Sequence, residues 1–121
     1  MANEILTRAT LNVTKNNAAI SLDGTKQMDM AGNTFIGNVQ TIGLTTETLV
    51  FGDVSNMGYL FLKNLDATNY CMFSLSSPAA SGTAFCTLKA GEFAVIPTRQ
   101  TTVYAIADTA PVNVQVGACS L

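Results

Sequence analysis

Gly58-Tyr59-Leu60-Phe61-Leu62-Lys63-Asn64-Leu65 carries bulky apolar residues at odd and even positions alike. Successive side chains of a strand point to opposite faces, so a strand here presents neither face to water and requires cover on both sides. Leu88 to Ile96 and Val103 to Asp108 repeat the pattern of a short apolar strand closed by turn residues.

On the N-terminal side, Ala9, Leu11 and Val13 alternate with Arg8, Thr10, Asn12 and Thr14, the pattern of a half-buried strand with its polar face outward. Residues 1–5 are expected to be a loose arm. Asp23-Gly24, between Ala18 to Leu22 and Thr25 to Met30, predicts a type I′ hairpin because both residues tolerate positive φ. That turn places Ile20 and Leu22 on one face and Met28 and Met30 on the opposite one. Thr34 to Ile42 reads as a strand with Phe35, Gly37 and Val39 on one face and Ile36, Asn38 and Gln40 on the other, Gly37 marking a bulge or a close approach.

Further strands are expected at Glu47 to Phe51, Tyr70 to Leu75, Ala84 to Leu88, Glu92 to Ile96, Thr102 to Ala107 and Val112 to Ala118. The last alternates most strictly, with Val112, Val114 and Val116 facing inward. Ser76 to Thr83 forms a small-residue loop. About ten short strands at spacings of about 8 to 12 residues, with no window of helical recurrence, predict an all-β protein. The expected architecture is one antiparallel β-sandwich over residues 1–121, jelly-roll-like or immunoglobulin-like, with a barrel as the lesser alternative. Strand order is left open by the pattern.

A chain of 121 residues is enough for one core. Charged residues are 12% of the total, about half the usual share of about 25%, so much of the surface must be Thr, Ser, Asn and Ala. Such a polar but uncharged surface suits packing against another protein. The net charge of −2, with the basic residues scattered, provides no footprint for nucleic acid. No run approaches the roughly 18 apolar residues of a membrane span, and Met1 to Asn12 lacks the basic start and apolar centre of a signal peptide. Synthesis and folding in the cytosol, with no membrane partner, are the expectation.

The chain contains no histidine, which removes Ser-His and Cys-His nucleophile pairs and nearly all catalytic zinc sites. Cys71, Cys86 and Cys119 are odd in number, lack C-x-x-C spacing and lie in apolar alternating segments, so they read as small buried hydrophobes. The acidic residues stand singly, mostly beside Gly, Asn or Thr, where a carboxylate ordinarily caps a turn. Asp66 and Asp108 each close an apolar strand; they could share a rim that binds a cation or partner, but two similar strand-end turns is the preferred reading. Phosphate-binding glycine loops are absent from the sequence. No catalytic, cofactor or metal residue is nominated, and the expectation is a protein that is not an enzyme.

The apolar excess remains. Tyr59 and Phe61 oppose Leu60 and Leu62; Tyr70 and Met72 oppose Cys71 and Phe73; Phe93 and Val95 oppose Ala94 and Ile96. A sandwich has one inner face per sheet, so some of these residues end outside unless loops or another subunit cover them. Tyr59, Phe61, Tyr70, Met72, Phe93 and Ile96 are therefore the candidate interface of a homo-oligomer.

Gly58 to Tyr70, Leu88 to Ile96 and Val103 to Ala110 together resemble small β-sandwich virion structural proteins of tailed bacteriophages. The resemblance covers about the C-terminal half as a pattern of strand, turn and strand, and transfers no functional residues. It implies a non-enzymatic virion component that docks on other virion proteins: a capsid decoration (cement) or head-associated protein on the major capsid protein, or a tail or neck subunit. The alternative of another class is a carbohydrate- or receptor-binding module, for which the absence of Trp leaves only Tyr59, Tyr70 and Tyr104 as polar aromatic platforms. A cupin-like enzyme would need the missing histidine ligands.

Overall fold

A computed structural model describes residues 4–121. These residues form ten strands and no helix: β1 (Ile5–Lys15), β2 (Ala18–Met28), β3 (Phe35–Ile42), β4 (Glu47–Thr48), β5 (Met57–Asn64), β6 (Cys71–Ser74), β7 (Ala84–Leu88), β8 (Phe93–Pro97), β9 (Tyr104–Ala107) and β10 (Val112–Ser120). All pairings are antiparallel. The chain divides into two compact units, one ending at Ala31 and one spanning Gly32–Leu121, so the sandwich expected over the whole chain is confined to the second.

In the first unit, β1 and β2 pair from Ile5↔Met28 to Lys15↔Ala18. The turn is Asn16-Asn17, with φ of 52° and 65°. Both residues thus occupy the left-handed region that a type I′ turn demands, and Asn enters it more readily than most side chains. Asp23-Gly24, expected to be the turn, lies inside β2 opposite Thr10 and Ala9. Cross-strand pairing explains the correction. A turn at 23–24 would set Leu22 against Thr25 and Ile20 against Gln27, whereas the turn at 16–17 pairs Leu22 with Leu11 and Ile20 with Val13. Met28 accordingly shares a face with Ile20 and Leu22 instead of opposing them.

The half-burial expected of Ala9, Leu11 and Val13 is absent: every residue from Arg8 to Gln27 is exposed. Of the expected loose arm at 1–5, residues 1–3 lie outside the described residues, and Ile5 is a buried residue that opens β1.

The second unit holds two four-stranded sheets, β3-β10-β5-β8 and β4-β9-β6-β7. Its pairings nest: β6 with β7, β5 with β8, β4 with β9 and β3 with β10. This long double ribbon is rolled so that β10 also lies beside β5 and β9 beside β6. A nested ribbon rolled into two sheets is a jelly roll, the first of the two sandwich types expected from the sequence.

The core follows from period-2 alternation. Val112, Val114 and Val116 of β10 point inward with Leu60 and Leu62 of β5 and Ile42 of β3, meeting Phe73, Cys71, Leu88, Ala105 and Ala107 from the other sheet. Each large side chain so buried contributes about 1.5–3 kcal/mol. The strand expected at Glu47 to Phe51 shrinks to Glu47–Thr48, yet Leu49 and Phe51 still reach the core. Gly37 forms neither a bulge nor a close approach: it stays in register opposite Gly117, and a Cβ there would meet nothing within 4 Å.

Candidate interaction surface

Leu60 and Leu62 of β5 face inward, so Tyr59, Phe61 and Lys63 build the outer face of their sheet, while Met57, beyond a register shift, is buried. The registers of β3, β10, β5 and β8 align that face into rows. Phe35, Cys119, Tyr59 and Pro97 form one row; Gly37, Gly117, Phe61 and Val95 the next; Val39, Gln115, Lys63 and Phe93 the third. Lys63 is the one charged side chain in these three rows.

Edge strands carry the most uncovered side chains, Phe35 at 76% exposure on β3 and Phe93 at 64% on β8, with Val39 at 51%. Tyr59 and Phe61, on the inner strand β5, are half-buried because their row neighbours shield their flanks. The rings of Phe61 and Phe93 stack at 6.4 Å between centroids. Gly117 lies close beneath Phe61, where an added Cβ would press on the Phe61 Cβ at 3.3 Å. Two glycines side by side make a low floor, bordered on β3 by Phe35 and Val39.

Three of the six nominated interface residues, Tyr59, Phe61 and Phe93, therefore share this face. The other three do not. Ile96 lies opposite Leu60 and packs against the core, so it is corrected from interface to interior. Met72 pairs with Thr87 and Ile106 in the other sheet, on the face away from Phe73. Tyr70 precedes β6, half-buried, and its carbonyl accepts the Asp108 N–H at 3.0 Å. Phe35, Val39, Val95 and Cys119 join the surface without having been nominated; the alternation of Phe35, Gly37 and Val39 was the available signal.

Leu11, Val13, Ile20 and Leu22 of the hairpin unit form another uncovered apolar cluster, between 47% and 60% exposed. Register places them on one face with Ala9, Ala18 and Gly24. Apart from Leu6 and Ala19 the opposite face is polar, and the Ser21 hydroxyl donates to Asn12 Oδ1 there at 2.6 Å.

The carboxylates that could have carried chemistry serve turns. Asp66 Oδ2 accepts the N–H groups of Asn69 at 2.7 Å and Thr68 at 3.0 Å, which hold its carboxyl below the usual range. Glu92 accepts the Lys89 N–H at 2.7 Å, and Glu47 accepts the Gly43 N–H at 2.9 Å. Burial pushes the Cys71 thiol up to about 12, so it is an inert core residue, and burial also raises Cys86. Cys119 departs from the expected burial by sitting on the outer face, half-exposed. Among the described residues no group of His, Cys, Asp or Glu could hold a metal ion.

Comparison with protein-family models, with curated proteins and with solved structures finds no match for the chain.

Proposed function

We propose that this chain is a non-enzymatic virion structural protein of a tailed bacteriophage, a capsid decoration protein that packs against the major capsid protein and against copies of itself. The observation that carries the reading is the outer sheet face, where Phe35, Val39 and Phe93 stand uncovered around Tyr59 and Phe61. Monomeric proteins rarely leave so many apolar side chains contiguous, and a face with a single lysine can be covered without desolvating many charges. The resemblance of the three C-terminal stretches to phage virion proteins agrees with it, and jelly rolls recur in viral capsid domains, though also in lectins.

Contacts of this kind are individually weak. On a capsid lattice they act together, because one contact raises the effective concentration for the next. A tail or neck position would use the same surfaces and the same physics.

The experiment is co-sedimentation of the full chain with particles assembled from the major capsid protein of the same genome. Saturable binding that weakens in the Phe35→Ser/Phe93→Ser variant supports the reading. Chain that stays in the supernatant, or binding indifferent to the two substitutions, overturns it.

A further inference from the structure

We infer that two copies of this chain pair through the outer face of the β3-β10-β5-β8 sheet, related by a half-turn about an axis that runs parallel to the strands between β10 and β5. The inference rests on the self-association named above and fixes which residues meet.

Gly37 gives the first reason. Glycine inside a strand forfeits backbone entropy and side-chain packing, so it persists where a turn, a bulge or a close approach demands it. Within its own chain Gly37 meets none of these demands. Its φ is not positive, it stays in register opposite Gly117, and an added Cβ would touch nothing within 4 Å. The missing side chain leaves open a trough above the sheet, continuous with the low ground over Gly117. A trough that the fold does not need is accounted for by something seated in it.

The same face carries what fits. From β3 to β8 the middle row reads Gly37, Gly117, Phe61, Val95: two residues without side chains, then two large ones. The half-turn sets β3 against the partner's β8 and β10 against the partner's β5, so this row faces itself reversed. Phe61 then lies over the partner's Gly117 and Val95 over the partner's Gly37, and both contacts recur across the axis. The first row sets Phe35 against the partner's Pro97 and Cys119 against the partner's Tyr59. The third sets Val39 against the partner's Phe93 and Gln115 against the partner's Lys63, whose ammonium can donate to the amide oxygen. A half-turn about an axis across the strands instead stacks Gly37 on Gly37 and Phe61 on Phe61, a void beside a clash. Packed sheets cross at about 30°, and the pair nearest the axis, Phe61 on the partner's Gly117, is the least displaced by that crossing.

Area sets the strength. Four strands about 4.8 Å apart span about 19 Å, and eight residues at about 3.4 Å run about 27 Å, less at the five-residue β8. Face on face therefore covers about 470 Å² per side and about 940 Å² in all, just short of the roughly 1,000 Å² that marks a firm interface. The two Lys63 ammonium groups flank the axis and repel, which weakens the pair further. Such a dimer forms at about 10 μM and above and comes apart on dilution.

Sedimentation velocity on the full chain, to either side of that concentration, reads the pairing. Gly37→Val should leave Tm unchanged or raise it, since valine favours strands and has room there. It should nevertheless weaken the dimer by about tenfold or more, because the trough is filled in both copies. Gly24→Val, the same change in an exposed strand of the hairpin, should leave the dimer at parent strength. Adding Val95→Ala to Gly37→Val should recover most of the loss, because the residue facing the new side chain then shrinks.

A dimer indifferent to Gly37→Val, one weakened equally by Gly24→Val, or one that Val95→Ala fails to restore overturns the pairing. So does a Gly37→Val chain that melts well below the parent, since the fold itself would then need the glycine. A parent that is monomeric throughout also overturns it, yet leaves the capsid contact to be read separately in the co-sedimentation experiment.

Discussion

Replacing Asn64 with alanine removes the side chain that ties the 66–69 turn and the end of β7 to the end of β5. Asn64 is fully buried; its Nδ2 donates to the carbonyls of Asn69 and Leu88, each at 2.9 Å, and its Oδ1 accepts the Asp66 N–H at 2.8 Å. Its backbone binds the entry to β8, with Asn64 N donating to Glu92 O at 2.9 Å and Gly91 N donating to Asn64 O at 3.1 Å. Alanine keeps the backbone bonds and strips the three side-chain bonds. The bond to Leu88 is the buried one, and a buried carbonyl left without a donor costs about 1–3 kcal/mol. The other two partners lie nearer water, and losing those bonds costs about 0.5–1 kcal/mol each.

The sum is about 3 kcal/mol, which in a unit of this size lowers Tm by roughly 15 °C. Asn64→Asp should be worse, because it keeps the acceptor for Asp66 but turns a carboxylate toward two carbonyl oxygens. Thermal unfolding followed by circular dichroism measures both. An alanine variant melting within a few degrees of the parent, or an aspartate variant more stable than it, would refute the reasoning.

Gly24→Val should be tolerated, since Gly24 sits in an extended strand with nothing within 4 Å of an added Cβ. Asn17→Val should cost about 1–2 kcal/mol, because its φ of 65° suits few side chains. Amide hydrogen exchange across residues 11–22 reads both effects, and the reverse order would return the turn to Asp23-Gly24. Asp66 predicts a pH effect: its carboxyl is held below its ordinary value by turn N–H groups, so the stability it contributes is present above about pH 4 and is lost as pH falls through the depressed folded value. Asp66→Asn should flatten that part of the Tm-against-pH curve; an unchanged slope would mean the turn bonds contribute nothing.

The core was readable because period-2 alternation is a local property: Val112, Val114 and Val116, or Leu60 and Leu62, declare their face within a few residues. Strand order was not, since the nesting of β3 with β10 and β4 with β9 is fixed by contacts far apart in sequence. The hairpin misreading has a sharper cause. Asp-Gly and Asn-Asn both satisfy the turn geometry, and only the pairing of Leu11 with Leu22 and Val13 with Ile20 chooses between them. Ile96 was nominated for the surface with Phe93, although residues three apart in a strand point to opposite faces; alternation already contained the answer. For Phe35 and Val39 the face was legible but not its exposure, which depends on β3 being an edge strand.

The central claim is that the outer sheet face is built for contact between molecules and contributes little to the fold. Light scattering across a dilution series compares the parent chain with Phe35→Ser/Phe93→Ser, residues that the isolated chain leaves 76% and 64% exposed. The account predicts a parent mass above monomer that falls on dilution, and a double variant that stays monomeric while its Tm moves by only a few degrees. A parent that is monomeric at every concentration, or a double variant that unfolds, would contradict it.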